Sequence, residues 1–160
     1  MKNPIKIGIC FGLTSGIITT LGLMVGLESG TDSALAVIGG VITIAVADAF
    51  SDALGMHISQ ESVKGRAMKD VWDSTFSTFI AKLLFALTFV IPVLLFYNSL
   101  STAVIISVIW GLLVLGILSF IIAEEKKQQV WKVVTEHLGI ALAVILIAHY
   151  VGDLIALTFH

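Results

Sequence analysis

Long apolar stretches separated by short polar segments make up most of this sequence. Five of them are close to the length of about 20 residues that an α-helix needs to cross the ~30 Å hydrocarbon core of a bilayer. They cover residues 5–27, 33–57, 76–97, 102–123 and 136–159. The pattern therefore predicts an all-α integral membrane bundle of five transmembrane helices, which forms a single transmembrane domain over residues 1–160.

The composition narrows the possible functions. Hydrophobic residues make up 58% of the chain and charged residues 12%, whereas a soluble domain carries about 45–50% and about 25%. That balance excludes a soluble globular domain and argues against nucleic-acid binding, which needs a basic surface. The single cysteine, Cys10, excludes a disulfide framework. Enzyme motifs such as GxSxG, HExxH and a Walker loop are absent, so we expect neither an enzyme nor an organic cofactor.

Basic residues predict the orientation. All nine Lys and Arg residues can be assigned to one side, if Lys82 of the third span reaches back to that side through its long side chain. Glu28 and Asp32 lie on the other side, which carries no basic residue. The positive-inside rule then predicts a cytoplasmic N-terminus and an outside C-terminus. No eukaryotic targeting signal is evident, so we expect a prokaryotic plasma membrane.

Two aspartates inside the second span are the strongest functional candidates. Asp48 and Asp52 are four residues apart, which places both carboxylates on one helix face, about 6 Å apart along the axis. Met56 continues this column. Each charge at mid-membrane costs at least about 2.5–3.5 kcal/mol, and the assignment of Lys82 to the interface leaves no basic partner at this depth. The pair therefore predicts a bound cation or a shared proton; the alternative is a pair of protonated aspartates that only fixes helix packing.

Two further polar pairs show the same spacing. His149 and Asp153 in the fifth span could bind one divalent ion or relay a proton, or simply bond to each other. If the second and fifth spans were neighbours, this pair and the two aspartates would form a ladder across the membrane. His57 and Glu61, at the end of the second span, could form a cytoplasmic mouth or a solvated interface.

Small residues recur along the first span. Gly8, Gly12 and Gly16 recur every four residues, and Gly22 and Gly26 repeat the spacing one face away. Small residues at this spacing let helix backbones approach closely in lipid. Helix packing explains them, and a homodimer interface through this helix is the more specific interpretation. Ser15 and Thr19 lie near the middle of the span and are predicted to line a path.

Taken together, these segments resemble the vacuolar iron transporter family. FGLTSGIITTLGLMVG (Phe11 to Gly26) and AVADAFSDALGMHISQES (Ala45 to Ser62) are similar to its first two helices. VIPVLLFY (Val90 to Tyr97) resembles its third helix around the proline, and HLGIALAVILIAHYVGDL (His137 to Leu154) its last. The resemblance implies a dimeric five-helix protein that exchanges a divalent metal, iron or manganese, for protons.

The chain departs from the family at its ligands. The family's first-helix acidic residue falls on Ser15, its second-helix methionine on Asp48 and its glutamate on Asp52. His149 falls where the family has a small hydroxyl residue. The resulting set is richer in oxygen, which favours manganese, magnesium or calcium over softer metals. The connection over residues 61–76 leaves no room for the family's cytoplasmic metal-binding domain.

The sequence thus predicts a minimal metal transporter that exports Fe²⁺ or Mn²⁺ from the cytoplasm in exchange for protons. Its predicted metal ligands are Asp48, Asp52, Met56, His149 and Asp153. One rival interpretation is a structural or partner-binding membrane protein. The other is a membrane enzyme that uses the pair in the fifth span.

Overall fold

The computed structural model describes residues 3–159 and is 89% helical, with no strand in that range. The helices are α1 (Pro4–Thr31), α2 (Ala34–Glu61), α3 (Met68–Thr88), α4 (Val90–Leu95), α5 (Leu100–Glu125) and α6 (Val130–Phe159). Taking α3 and α4 together, five helical segments are long and apolar enough to cross a membrane. The predicted fold class, an all-helical bundle with five spans, is confirmed.

The third span differs most from its prediction, because α3 begins at Met68 instead of residue 76. Its polar first half is accommodated within the helix, where Ser and Thr hydroxyls donate to backbone carbonyl oxygens three or four residues back. Thr75 donates to Val71 at 2.7 Å, and Thr78 donates to the carbonyl oxygen of Ser74 at 2.8 Å. These bonds let polar side chains enter the bundle without unpaired hydroxyls.

The same span is interrupted near its far end. Phe89 separates α3 from α4. Pro92 has no backbone N–H, so it cannot donate to the carbonyl oxygen of Thr88 one turn earlier. The backbone therefore forms two helices within one apolar segment, which the hydropathy pattern predicts as a single span.

α1 is the central helix and packs against α2, α3, α5 and α6. A Cβ added at Gly12 would lie 2.5 Å from the carbonyl oxygen of Thr78 in α3. A Cβ at Gly26 would lie 3.3 Å from the carbonyl oxygen of Ala148 in α6. The glycine-rich face predicted for a subunit interface is therefore covered by helices of the same chain, and a homodimer would need another face.

Charged residues separate the two ends of the bundle. We call the end with the connections at residues 62–67 and 126–129 the basic end; among the described residues it carries Lys6, Lys64, Arg66, Lys69, Lys126, Lys127 and Lys132. Lys2, assigned to the same side above, lies outside the described residues. At the acidic end, Asp32 follows α1 in a left-handed conformation with φ 47° and donates its N–H to the carbonyl oxygen of Glu28. Lys82 belongs to neither end.

Candidate cation site

The two aspartates of α2 lie beside its buried face. Ala45, Ala49 and Ala53 are buried at successive turns, and their small side chains let α2 lie close to its neighbours. Asp48 and Asp52 adjoin this alanine column, and their side chains are 24% and 18% exposed. The carboxylates are thus partly enclosed by α1 and α3, and partly accessible from outside the chain.

A lysine occupies the space between these carboxylates. The side chain of Lys82 in α3 is 1% exposed, and its ammonium forms ion pairs with both Asp48 and Asp52. It also donates to the hydroxyl of Ser15 in α1 at 2.8 Å. The prediction that Lys82 reaches back to the membrane surface is therefore wrong, as is the inference that the aspartates have no basic partner.

The glycines of α1 make room for this lysine. A Cβ at Gly16 would lie 3.4 Å from Cγ of Lys82, so the missing side chain leaves space for the aliphatic stem. The stem packs against α1, and the ammonium reaches across to α2. Burial of the stem offsets part of the cost of bringing a charge into the bundle.

The cluster is short of one positive charge. With all three groups ionised, two carboxylates and one ammonium carry a net charge of −1. The charged side chains that meet here come from α2 and α3, and α1 contributes only the neutral Ser15 hydroxyl. Uncompensated charge inside a membrane protein is costly. A further proton or cation would neutralise the cluster.

The lysine contacts the two aspartates through the same kind of atom. Oδ2 of Asp52 accepts a hydrogen bond from the Lys82 ammonium. Oδ2 of Asp48 is buried and lies at ion-pair distance from the same ammonium. One ammonium is therefore the shared partner of both carboxylates.

Three predicted residues lie near this cluster with different roles. Ser15 contacts the lysine directly, as described above. Thr19 donates to the carbonyl oxygen of Ser15 at 2.9 Å, which is a bond within its own helix. Met56 is buried one turn beyond Asp52 toward the basic end. Of Ser15 and Thr19, which were predicted to line the path, Ser15 is bonded to the charged cluster and Thr19 to the backbone of its own helix.

The pair on α6 lies elsewhere. His149 Nε2 is 3.6 Å from Asp153 Oδ2, and both side chains are about half exposed. Ser29 of α1 donates to Asp153 and, at 3.0 Å, to the carbonyl oxygen of His149. Because α1 packs against both α2 and α6 while those two helices do not form a packed pair, the structure does not bring the four predicted residues into a ladder.

The predicted mouth at the basic end is a compact polar contact. His57 Nδ1 is 3.1 Å from the Thr75 hydroxyl, and its ring meets the edge of Trp72. Glu61 is 4.0 Å from His57 Nε2 and is exposed. These contacts fix the histidine between α2 and α3, one turn nearer the basic end than Asp52.

Sequence reasoning missed Lys82, although a signal was present. Lys82 is the one basic residue inside an apolar run over residues 76–97. An ionisable residue at such a position is by default functional and paired. The same rule that identifies the two aspartates as functional candidates applies to Lys82.

The wider surroundings add no further ligand. Within residues 3–159, no three His, Cys, Asp or Glu side chains form a group that could hold a metal ion. Neither the protein-family models nor the curated proteins compared with this chain give a match. The function is therefore argued from the geometry of the cluster.

Proposed function

We propose that this protein is a proton-coupled transporter of a divalent metal cation, Mn²⁺ or Fe²⁺, and that Asp48 and Asp52 bind the cargo. The observation that carries the proposal is the buried ammonium of Lys82 between two carboxylates of one membrane-spanning helix. The two carboxylates that pair with this positive charge are also the type of ligand that a metal cation would use in its place. The cluster is a site for a cation, at a depth where ionised groups are otherwise excluded.

The donor set fits a hard, partly hydrated ion. Asp48 and Asp52 supply carboxylate oxygens, while the Ser15 hydroxyl on the facing helix stays bonded to the Lys82 ammonium. Small divalent ions such as Mg²⁺ are often held by one or two carboxylates and keep several waters. Oxygen donors also suit Mn²⁺ better than softer metals. Mn²⁺ is therefore the first cargo to test, and Fe²⁺ the second.

Proton coupling follows from competition for the same carboxylates. Metal ligands must be deprotonated, so a metal that binds displaces any proton that the cluster holds. The charge deficit of the cluster supports this exchange. We place the basic end in the cytoplasm of a prokaryotic cell by the positive-inside rule, and we propose that the transporter exports metal as protons enter.

Transport by reconstituted protein tests the proposal. Asp48→Asn and Asp52→Asn should each lower Mn²⁺ flux into liposomes at least tenfold, the equivalent of about 1.4 kcal/mol. Asp32→Asn is the matched control and should keep wild-type flux, because Asp32 is exposed and asparagine tolerates its left-handed backbone. A pH-sensitive dye inside the liposomes reports the coupled protons. Unchanged flux in both site variants would contradict the proposal.

One observation favours a second candidate, a structural role. Lys82 already pairs with both carboxylates, so the cluster could serve only to hold α2 and α3 together. That role predicts no Mn²⁺ flux above empty liposomes and no effect of Mn²⁺ on thermal stability.

A further inference from the structure

We infer that Lys82 is a tethered competitor of the transported cation, whose ammonium fills the position that the metal takes between Asp48 and Asp52. The inference rests on the proposed function and assigns the residue that sets the affinity of the same site. A metal ion bridging the two carboxylates would occupy the space where the ammonium now contacts both. The two cations therefore exclude each other.

The lysine has the shape that such a competitor requires. Its ammonium is a compact charge on a flexible four-carbon stem. The stem packs at Gly16, while the head contacts two helices, α2 through the carboxylates and α1 through Ser15. The Ser15 hydroxyl, 2.8 Å away, gives the ammonium a neutral partner when a metal takes the carboxylates. The charge can thus withdraw without losing every hydrogen bond.

The consequence is a site tuned for release. With the ammonium present, an incoming divalent ion meets a net charge of −1 and must displace a competitor. Without it, the same ion meets two free carboxylates. Removal of the ammonium should therefore tighten metal binding and slow transport, because a tightly bound cargo leaves slowly.

Lys82→Gln and Lys82→Arg form the decisive pair of variants. We expect Lys82→Gln to bind Mn²⁺ at least tenfold more tightly than the wild type, since it removes the charge. Lys82→Arg keeps the charge and should bind no more tightly than the wild type. Mn²⁺ titration of the purified full-length protein, followed by the loss of the free-ion electron paramagnetic resonance signal, measures both dissociation constants. Mn²⁺ flux in liposomes should fall for Lys82→Gln.

If Lys82→Gln does not fold, Ser15→Ala provides a second test of the inference. Ser15→Ala removes the neutral partner of the ammonium and should weaken Mn²⁺ binding, because the lysine then has fewer alternatives to the carboxylates. Equal or weaker binding by Lys82→Gln, or unchanged binding by Ser15→Ala where that variant alone folds, would overturn the inference. Those results would not contradict the proposed transport function if the wild type binds Mn²⁺ and Asp52→Asn abolishes this binding. Absence of Mn²⁺ binding to the wild type and to every Lys82 variant would instead remove the proposed function.

Discussion

Replacement of Lys82 by methionine should lower the free energy of unfolding by about 3–5 kcal/mol in the absence of metal, which is the cost of leaving buried charges without their partner. Methionine keeps much of the stem that packs at Gly16, so lost packing contributes little. Thermal and denaturant unfolding of the protein in detergent, followed by circular dichroism, gives the difference. Lys64→Met is the control, because Lys64 is exposed at the basic end, and it should change stability by less than about 0.5 kcal/mol.

Part of the stability that Lys82→Met loses should be recovered when the two unpaired carboxylates are removed as well. A triple variant, Asp48→Asn with Asp52→Asn and Lys82→Met, has no uncompensated charge in the cluster, so it should regain part of the stability that Lys82→Met loses. Mn²⁺ should also restore stability to Lys82→Met by binding the freed carboxylates. A Lys82→Met protein that is as stable as the wild type without metal would show that this ion-pair cluster does not exist as described.

The second large effect is expected at the contact between α1 and α3. Gly12→Ala places a Cβ 2.5 Å from the carbonyl oxygen of Thr78 and 3.1 Å from the backbone nitrogen of Lys82. Backbone atoms cannot turn aside as a flexible side chain can, so α1 and α3 must separate. We expect a loss of about 1–3 kcal/mol, typical of overpacking, together with weaker Mn²⁺ binding as Lys82 moves away from its partners.

Gly39→Ala is the matched control for this change. A Cβ at Gly39 meets no atom within 4 Å, and alanine forms helices more readily than glycine by about 1 kcal/mol. This variant should be as stable as the wild type or more so. Equal stability of the Gly12→Ala and Gly39→Ala proteins would contradict the close α1–α3 packing.

The five spans could be predicted because their signal is local. Each span needs only a long run of apolar residues, because a backbone inside lipid must satisfy its own hydrogen bonds and therefore forms a helix. The hydropathy pattern misses the start of α3 because the apolar run begins only at Phe76, and the charged residues Lys69, Asp70 and Asp73 before it indicate a loop. Periodic glycines predicted close helix packing correctly, but spacing does not reveal whether the partner helix belongs to the same chain or to a second copy.

The sequence predicts the two aspartates of the site but not the lysine between them, for a related reason. The spacing of Asp48 and Asp52 identifies a shared helix face without knowledge of any other helix. The position of Lys82 depends on which helix packs beside α2 and at what register, and glycines in α1 decide this by letting α3 approach. The separation of His149 from the aspartates likewise follows from the central position of α1, a property of the whole bundle.

Nuclear magnetic resonance of the lysine ammonium groups tests the central claim most directly. With the protein in lipid nanodiscs, ¹⁵N-labelled lysine and Lys82→Arg identify the Lys82 signal. Paramagnetic Mn²⁺ bound at the aspartates should broaden that signal at low occupancy and spare Lys132 at the basic end, and Asp52→Asn should abolish the effect. If the Lys82 signal stays sharp at Mn²⁺ concentrations that support transport, the metal does not bind between Asp48 and Asp52, and the account is contradicted.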